Sequence, residues 1–255
     1  MFGFSAKRPP LEEADREWIE AAFLWLLDQF GADFFLKQQL VLPEPQFFPD
    51  KFRGTEECVC NLVTRVCSYM NVDPNLVEVA FFSEDDDMAS QHRLHGEYSH
   101  SGAAGYYQGA VQENGLMRVS VNTSQFKNPI SLIGTISHEL GHVILLGQGR
   151  ISHEDESHEY MTDLLTVFFG LGIFTANSAF QFSQWQDNSQ QGWRASRQGY
   201  MSEEMFAYGL AACAWMRGDS ECKWKEHLAI NVKAHFKTCL HYLQKRGTTS
   251  LKQLR

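Results

Sequence analysis

Residues 128–147, Asn-Pro-Ile-Ser-Leu-Ile-Gly-Thr-Ile-Ser-His-Glu-Leu-Gly-His-Val-Ile-Leu-Leu-Gly, decide the reading of this chain. Asn128 suits a helix N-cap, because its short side chain accepts a hydrogen bond from a free N–H of the first turn. Pro129 suits the first helical position, where no N–H is needed. Ile133, Ile136, Leu140, Val143 and Ile144 recur at helical spacing, and Gly147 or Gly149 can close the helix. Within it, His138 and His142 are four residues apart, so both imidazoles leave from one side and reach one ion. Glu139 stands about 100° around the helix from His138, near enough to take a proton from water on such an ion without being a ligand.

A third ligand is found downstream in His158-Glu159-Tyr160-Met161-Thr162-Asp163, on a helix expected over about 157–169. Glu159 and Asp163 share a helix face. Glu159 completes a set of three, and Asp163 can accept a hydrogen bond from the far nitrogen of His138 or His142, fixing its tautomer. Two imidazoles and a carboxylate suit one Zn2+ per chain with a fourth position open to water, although other divalent ions accept the same ligands. His153, in the acidic loop 152–157, and His158, pointing away from Glu159, are the alternative third ligands.

These two motifs resemble those of the gluzincin superfamily of zinc metallopeptidases, the thermolysin-like and related enzymes. There HExxH on one helix is completed by Glu on the next, with an acidic residue four positions later. The matching residues are His138, Glu139, His142, Glu159 and Asp163, and the resemblance covers roughly residues 104–175. Residues 136–177 also look like a group of uncharacterised soluble bacterial proteins carrying a gluzincin-type site. The resemblance implies hydrolysis of peptide bonds with Glu139 as general base. It also implies a zincin-like helix beside a small sheet whose edge, residues 104–111, holds an extended substrate. Thermolysin-like enzymes place a Tyr and a His opposite the glutamate. Here Tyr200 is the first candidate for steadying the tetrahedral intermediate, with Arg194 and Arg197 as cationic alternatives and His227 and Tyr208 behind them. The superfamily with a third histidine does not match, since Leu145 and Gln148 stand where its glycine and histidine would fall.

Outward from this centre, residues 11–30 read as an amphipathic helix on Ile19, Phe23, Leu26 and Phe30, stopped by Gly31. Pro43, Pro45, Pro49 and Gly54 make 41–54 irregular, and a second helix is expected over 56–70. Residues 77–82 read as a strand and 84–87 as a charged loop. Asn114-Gly115 predicts an antiparallel hairpin of 104–111 with 116–121. After the metal-binding helices come a Gln-rich loop near 184–199 and helices over 202–217 and 224–245, the latter with a stripe of Leu228, Val232, Phe236 and Leu240. The expected fold class is α+β: mostly helical, with a small antiparallel-containing sheet beside the HExxH helix. A single zincin-like domain spans 1–255, its metal-site core at about 104–175 with N-terminal helices (11–72) and C-terminal helices (202–245) packing around it.

Of 255 residues 44% are hydrophobic, enough for a core. The 31 acidic against 22 basic residues, a net charge of -9, argue against nucleic acid or an anionic membrane as the main partner. No cationic segment followed by an apolar run opens the sequence, and the apolar stretch 164–175 is short and broken by Gly170 and Gly172, so a soluble cytoplasmic protein is expected. Cys58, Cys60, Cys67, Cys213, Cys222 and Cys239 lack paired CxxC spacing and read as free thiols. The expected partner is a peptide or protein substrate; the sequence sets no oligomeric state. The alternative is a zinc-holding regulatory protein that binds a peptide or protein without hydrolysing it.

Overall fold

The computed structural model describes residues 11–83, 105–107, 116–187, 200–248 and 250–251, with backbone alone for 105–107 and 180–187. Helix α1, Glu13–Phe30, buries Ile19, Phe23, Leu26 and Leu27. It stops where Gly31 takes φ 90° and its N–H closes on the Leu27 carbonyl. After the short α2, Ala32–Lys37, helix α3 runs Glu56–Met70. Thr55 caps its start by accepting from the Cys58 N–H, and Asn71 in the left-handed region ends it.

Strand β1 is Val77–Phe82, β2 is Gly105–Tyr107 and β3 is Met117–Asn122, in the order β1-β3-β2. The sheet departs from the expected antiparallel-containing arrangement. The principal pairing is parallel, β1 beside β3 from Val77↔Met117 to Phe82↔Asn122, and was not anticipated. Among the described residues, antiparallel contact is that of Gly105 to Tyr107 against β3. An Asn-Gly pair is a local signal, whereas a parallel partner comes from far along the chain and is selected by burial. Central β3 shows this, for Val119 and Val121 on one face are as buried as Ser120 and Asn122 on the other. Arg118 reaches its register partner Glu78 at 2.8 Å. Residues 84–87, 104 and 108–115, with the charged loop and the Asn114-Gly115 turn, lie outside the described residues.

Helix α4, Pro129–His142, starts as the sequence implies, with Asn128 accepting from the Ser131 N–H and Pro129 in the first turn. It continues through a π-helical turn, Val143–Gly147. Every residue from Ser131 to Leu146 is buried, so α4 is wrapped on all sides. It packs on α3, on β2 and β3, and on the helices that follow it, α5 (His158–Phe168) and α6 (Gly172–Asp187). Two glycines set these distances. A Cβ on Gly134 would stand 3.1 Å from the Phe174 carbonyl oxygen, and one on Gly141 would stand 2.8 Å from Thr162 Cγ2. Pro129–Gly147 is long and apolar enough to cross a bilayer, but 83% of its apolar window is buried within the fold, as befits a core helix.

The layer is completed by α7, Glu203–Met216, and α8, Ile230–Arg246, packed on each other, with α7 also against α1, α5 and α6. Three boundaries differ from expectation. Gly172–Asp187 is helical where the sequence offers no clear stripe, because this segment is buried on most sides up to Ala179. This helix runs through 184–187, where the Gln-rich loop was expected to begin, and residues 188–199 lie outside the described residues. The last helix begins at Ile230, a 3-10 turn at Lys223–His227 preceding it, so Leu228 joins the core from a connector. One cluster of buried side chains links Phe23, Val121, Leu140, Leu164, Phe174, Tyr208 and Phe236. All six cysteines are free thiols.

Candidate metal centre

His138 and His142 leave α4 from the same side, each only 5% exposed, with their rings edge to face at 4.7 Å. The close approach at Gly141 lays the first turn of α5 beside them and delivers Glu159. Three atoms then converge: His138 Nε2 and Glu159 Oε2 at 3.0 Å, His138 Nε2 and His142 Nε2 at 3.1 Å, and His142 Nε2 and Glu159 Oε2 at 3.3 Å. Two ligands held at ~2.0–2.1 Å in a tetrahedral arrangement stand about 3.3 Å apart, so this triangle has the size of a zinc cage.

The far sides of both rings decide what the near sides offer. The Thr162 hydroxyl donates its single proton to the His158 carbonyl at 2.8 Å. Its contact with His142 Nδ1 at 3.2 Å is therefore one in which the ring N–H donates and Thr162 accepts. Asp163 Oδ1 lies 2.8 Å from His138 Nδ1 and accepts from it. Asp163 Oδ2 accepts from the Met201 N–H at 2.9 Å, so both oxygens of this buried carboxylate are engaged. With both Nδ1 atoms protonated, both Nε2 lone pairs face Glu159. Three lone-pair atoms in mutual contact require a positive charge among them, which a divalent ion supplies. The chain thus contains a buried His/His/Glu cluster capable of holding one metal ion.

Without an ion, a proton meets the same need. Burial disfavours charge on His138, yet hydrogen bonds with Asp163 and Glu159 outweigh it and raise its pKa well above the ordinary histidine value. Burial likewise opposes ionised Glu159, but its contacts with His138 and His142 hold its pKa far below the usual carboxylate range. Burial lowers His142. Glu139 has no such rescue: burial pushes it up to about 8, with the charge on His138 opposing and that on Glu159 adding to the rise. Its Oε2 is buried and has no hydrogen-bond partner among the described residues.

The other residues singled out in the sequence fall as follows. Tyr200 is half-buried, its ring 5.4 Å from that of His138, and it shares a small cavity with His138, Asp163 and Met201. His158 is beside the cluster, its ring 5.9 Å from His142 and Nδ1 3.6 Å from Glu159 Oε1. His153 is exposed and outside the cluster. Tyr208 is committed elsewhere, donating to Glu20 Oε1 at 2.6 Å, and His227 pairs with Glu44 at 3.1 Å. Arg194 and Arg197 lie outside the described residues. Two contributors were not foreseen, Thr162 and the Met201 amide. Thr162 had a signal in its place three residues after Glu159, on the side of α5 that meets α4; a backbone amide leaves none. No protein-family model, no curated protein and no solved structure matches this chain.

Proposed function

We propose that this chain is a zinc-dependent peptidase in which His138, His142 and Glu159 hold one Zn2+ and Glu139 is the general base. The observation that carries the reading is the pair of contacts behind the rings, Asp163 Oδ1 on His138 Nδ1 and the Thr162 hydroxyl on His142 Nδ1, which turns both Nε2 atoms and Glu159 Oε2 toward one point. Zinc in such a cage lowers the pKa of water and polarises a carbonyl. Glu139, adjacent in sequence to His138 and buried within electrostatic reach of His138 and Glu159, takes the proton from the attacking water and returns it to the leaving amine. A cation in the cage counteracts the burial that holds Glu139 at about 8 and favours its ionised form. Asp163 and Thr162 fix ring orientation and carry no proton of the reaction. Tyr200, packed beside His138, is the candidate donor to the developing oxyanion. The substrate is a peptide or protein in extended form, and the β2 edge of the sheet supplies backbone groups for it. The reading includes a cytoplasmic setting and narrow specificity.

The test joins metal content with two substitutions. Protein purified without chelator holds about one zinc per chain, His142→Ala loses it, and Glu139→Gln keeps the zinc while peptide turnover falls by ~10²–10⁴. A wild-type protein that holds zinc yet cleaves nothing in a diverse peptide library is a binding protein instead. A folded chain that takes up no metal overturns both readings.

A further inference from the structure

Each imidazole of the cluster is held from behind, His138 by Asp163 and His142 by Thr162. The carboxylate ligand has a second oxygen that needs the same treatment. Glu159 spends Oε2 on both rings, at 3.0 Å from His138 Nε2 and 3.3 Å from His142 Nε2. Its Oε1 faces His158 Nδ1 at 3.6 Å. Successive residues on a helix do not ordinarily face each other, so this approach is a particular of the first turn of α5, which begins at His158.

His158 is only partly exposed, and its Nδ1 is buried with no hydrogen-bond partner among the described residues. A buried ring nitrogen left unmatched is costly, and the carboxylate oxygen that faces it is Glu159 Oε1. The separation exceeds an ordinary N–H···O hydrogen bond by about 0.7 Å. An ion among the three ligand atoms takes over the contacts that Oε2 makes with the rings and leaves the carboxylate free to turn, and a small turn closes the gap.

We infer that His158 is a positioning residue of the metal centre: its Nδ1–H donates to Glu159 Oε1 and holds that carboxylate to one oxygen on the ion. The inference rests on the metal reading above. A carboxylate whose second oxygen is free can bind through both, and so fill the position that water needs. With Oε1 committed to a donor that route is closed, in keeping with the hydrogen bonds that ligating carboxylates commonly accept. His158 is not itself a ligand, since the converging atoms belong to His138, His142 and Glu159. Its backbone is engaged separately, the N–H with the Asp155 carbonyl and the carbonyl with the Thr162 hydroxyl, so a change of side chain leaves the support of His142 in place.

The test reads coordination in place of turnover. Co2+ is loaded into the full chain, because its visible absorption is strong with four ligands and weak with five. The wild type gives the strong spectrum. His158→Phe keeps a ring without the donor; it still takes up the ion, but its absorption falls at least about twofold as Glu159 binds through both oxygens. His158→Asn, whose amide N–H stands where Nδ1–H was, restores the strong spectrum. A second measurement uses the wild type labelled with 15N-histidine, the His158 signals being assigned by their loss in His158→Asn. With zinc bound, His158 carries its ring proton on Nδ1, a result that decides the matter even where His158→Phe does not fold. A strong spectrum in His158→Phe, a weak one in His158→Asn, or a zinc-loaded wild type with the His158 proton on Nε2 overturns this assignment and leaves the metal reading standing. A folded wild type that takes up no ion overturns both.

Discussion

Asp163→Asn changes one atom and is expected to disable the metal centre. In the native chain Oδ1 accepts from His138 Nδ1–H and Oδ2 from the Met201 N–H. An amide offers one acceptor and one donor, so either orientation fails. With its oxygen toward His138, its NH2 meets the Met201 N–H, donor against donor in a buried place. With its oxygen toward Met201, its NH2 donates to His138 Nδ1, and the imidazole must carry its proton on Nε2, where the ion would sit. Loss of such an orienting partner costs 10–100-fold in metal affinity, about 1.4–2.7 kcal/mol. The first orientation also costs the fold ~1–3 kcal/mol for an unmatched buried donor, and each kcal/mol lowers Tm by roughly 2–4 °C in a chain of this size. Competition against a zinc-binding dye reads the first quantity, and thermal melts in chelator read the second. Asp163→Ala leaves His138 free to choose its tautomer, so it binds zinc at least as well as the Asn variant. An Asn variant within twofold of wild type in zinc affinity refutes the reasoning.

Thr162→Val keeps the methyl group beside Gly141 but removes the acceptor for His142 Nδ1–H; zinc affinity falls about tenfold in the same dye competition. Gly141→Ala drives a Cβ to 2.8 Å from Thr162 Cγ2, costing ~1–3 kcal/mol of stability in denaturant melts and spreading the cage enough to weaken zinc. In chelator, Glu139 contributes a pH-dependent instability. Its pKa rises from 4.5 to about 8 on folding, so the folded chain holds a proton that the unfolded chain releases from pH 4.5 upward. Its share of stability is full below 4.5 and declines as pH rises to 8. Glu139→Gln removes that slope: urea melts of the metal-free proteins coincide near pH 4 and separate by a few kcal/mol in favour of Gln near pH 8 (about 1.36 kcal/mol per pKa unit). Parallel behaviour of the two proteins across this range contradicts the burial account of Glu139.

Helix α4 was legible because its signals are local. Asn128 and Pro129 start it, and the four-residue spacing of His138 and His142 needs only helical geometry to become a pair of ligands. Glu159 and Asp163 were legible as a face, but not which imidazole Asp163 would hold, since that follows from how α5 crosses α4 at Gly141. The Met201 amide was hidden for the same reason, being 38 residues from Asp163 and without a side-chain signature. The sheet misled because Asn114-Gly115 speaks for a neighbouring strand, while β3 takes β1 from 40 residues upstream as its longer partner. Helix α6 escaped because periodicity reveals a helix with a wet side, and most of Gly172–Ala179 is buried.

The wrapping of α4 has a consequence for the nascent chain. When Gly147 has just emerged from the ribosome, α3, β2 and β3 are the described elements packed on α4 that are already out, since α5 and α6 are still to come. The roughly 40 residues from Gly147 to Asp187 take about 2–8 s at ~5–20 residues per second. For that interval a segment with the hydropathy of a membrane span stands partly bare, and its next cover is the helix that also brings Glu159. Assembly of the His/His/Glu cluster and concealment of this apolar surface are thus a single event in biosynthesis.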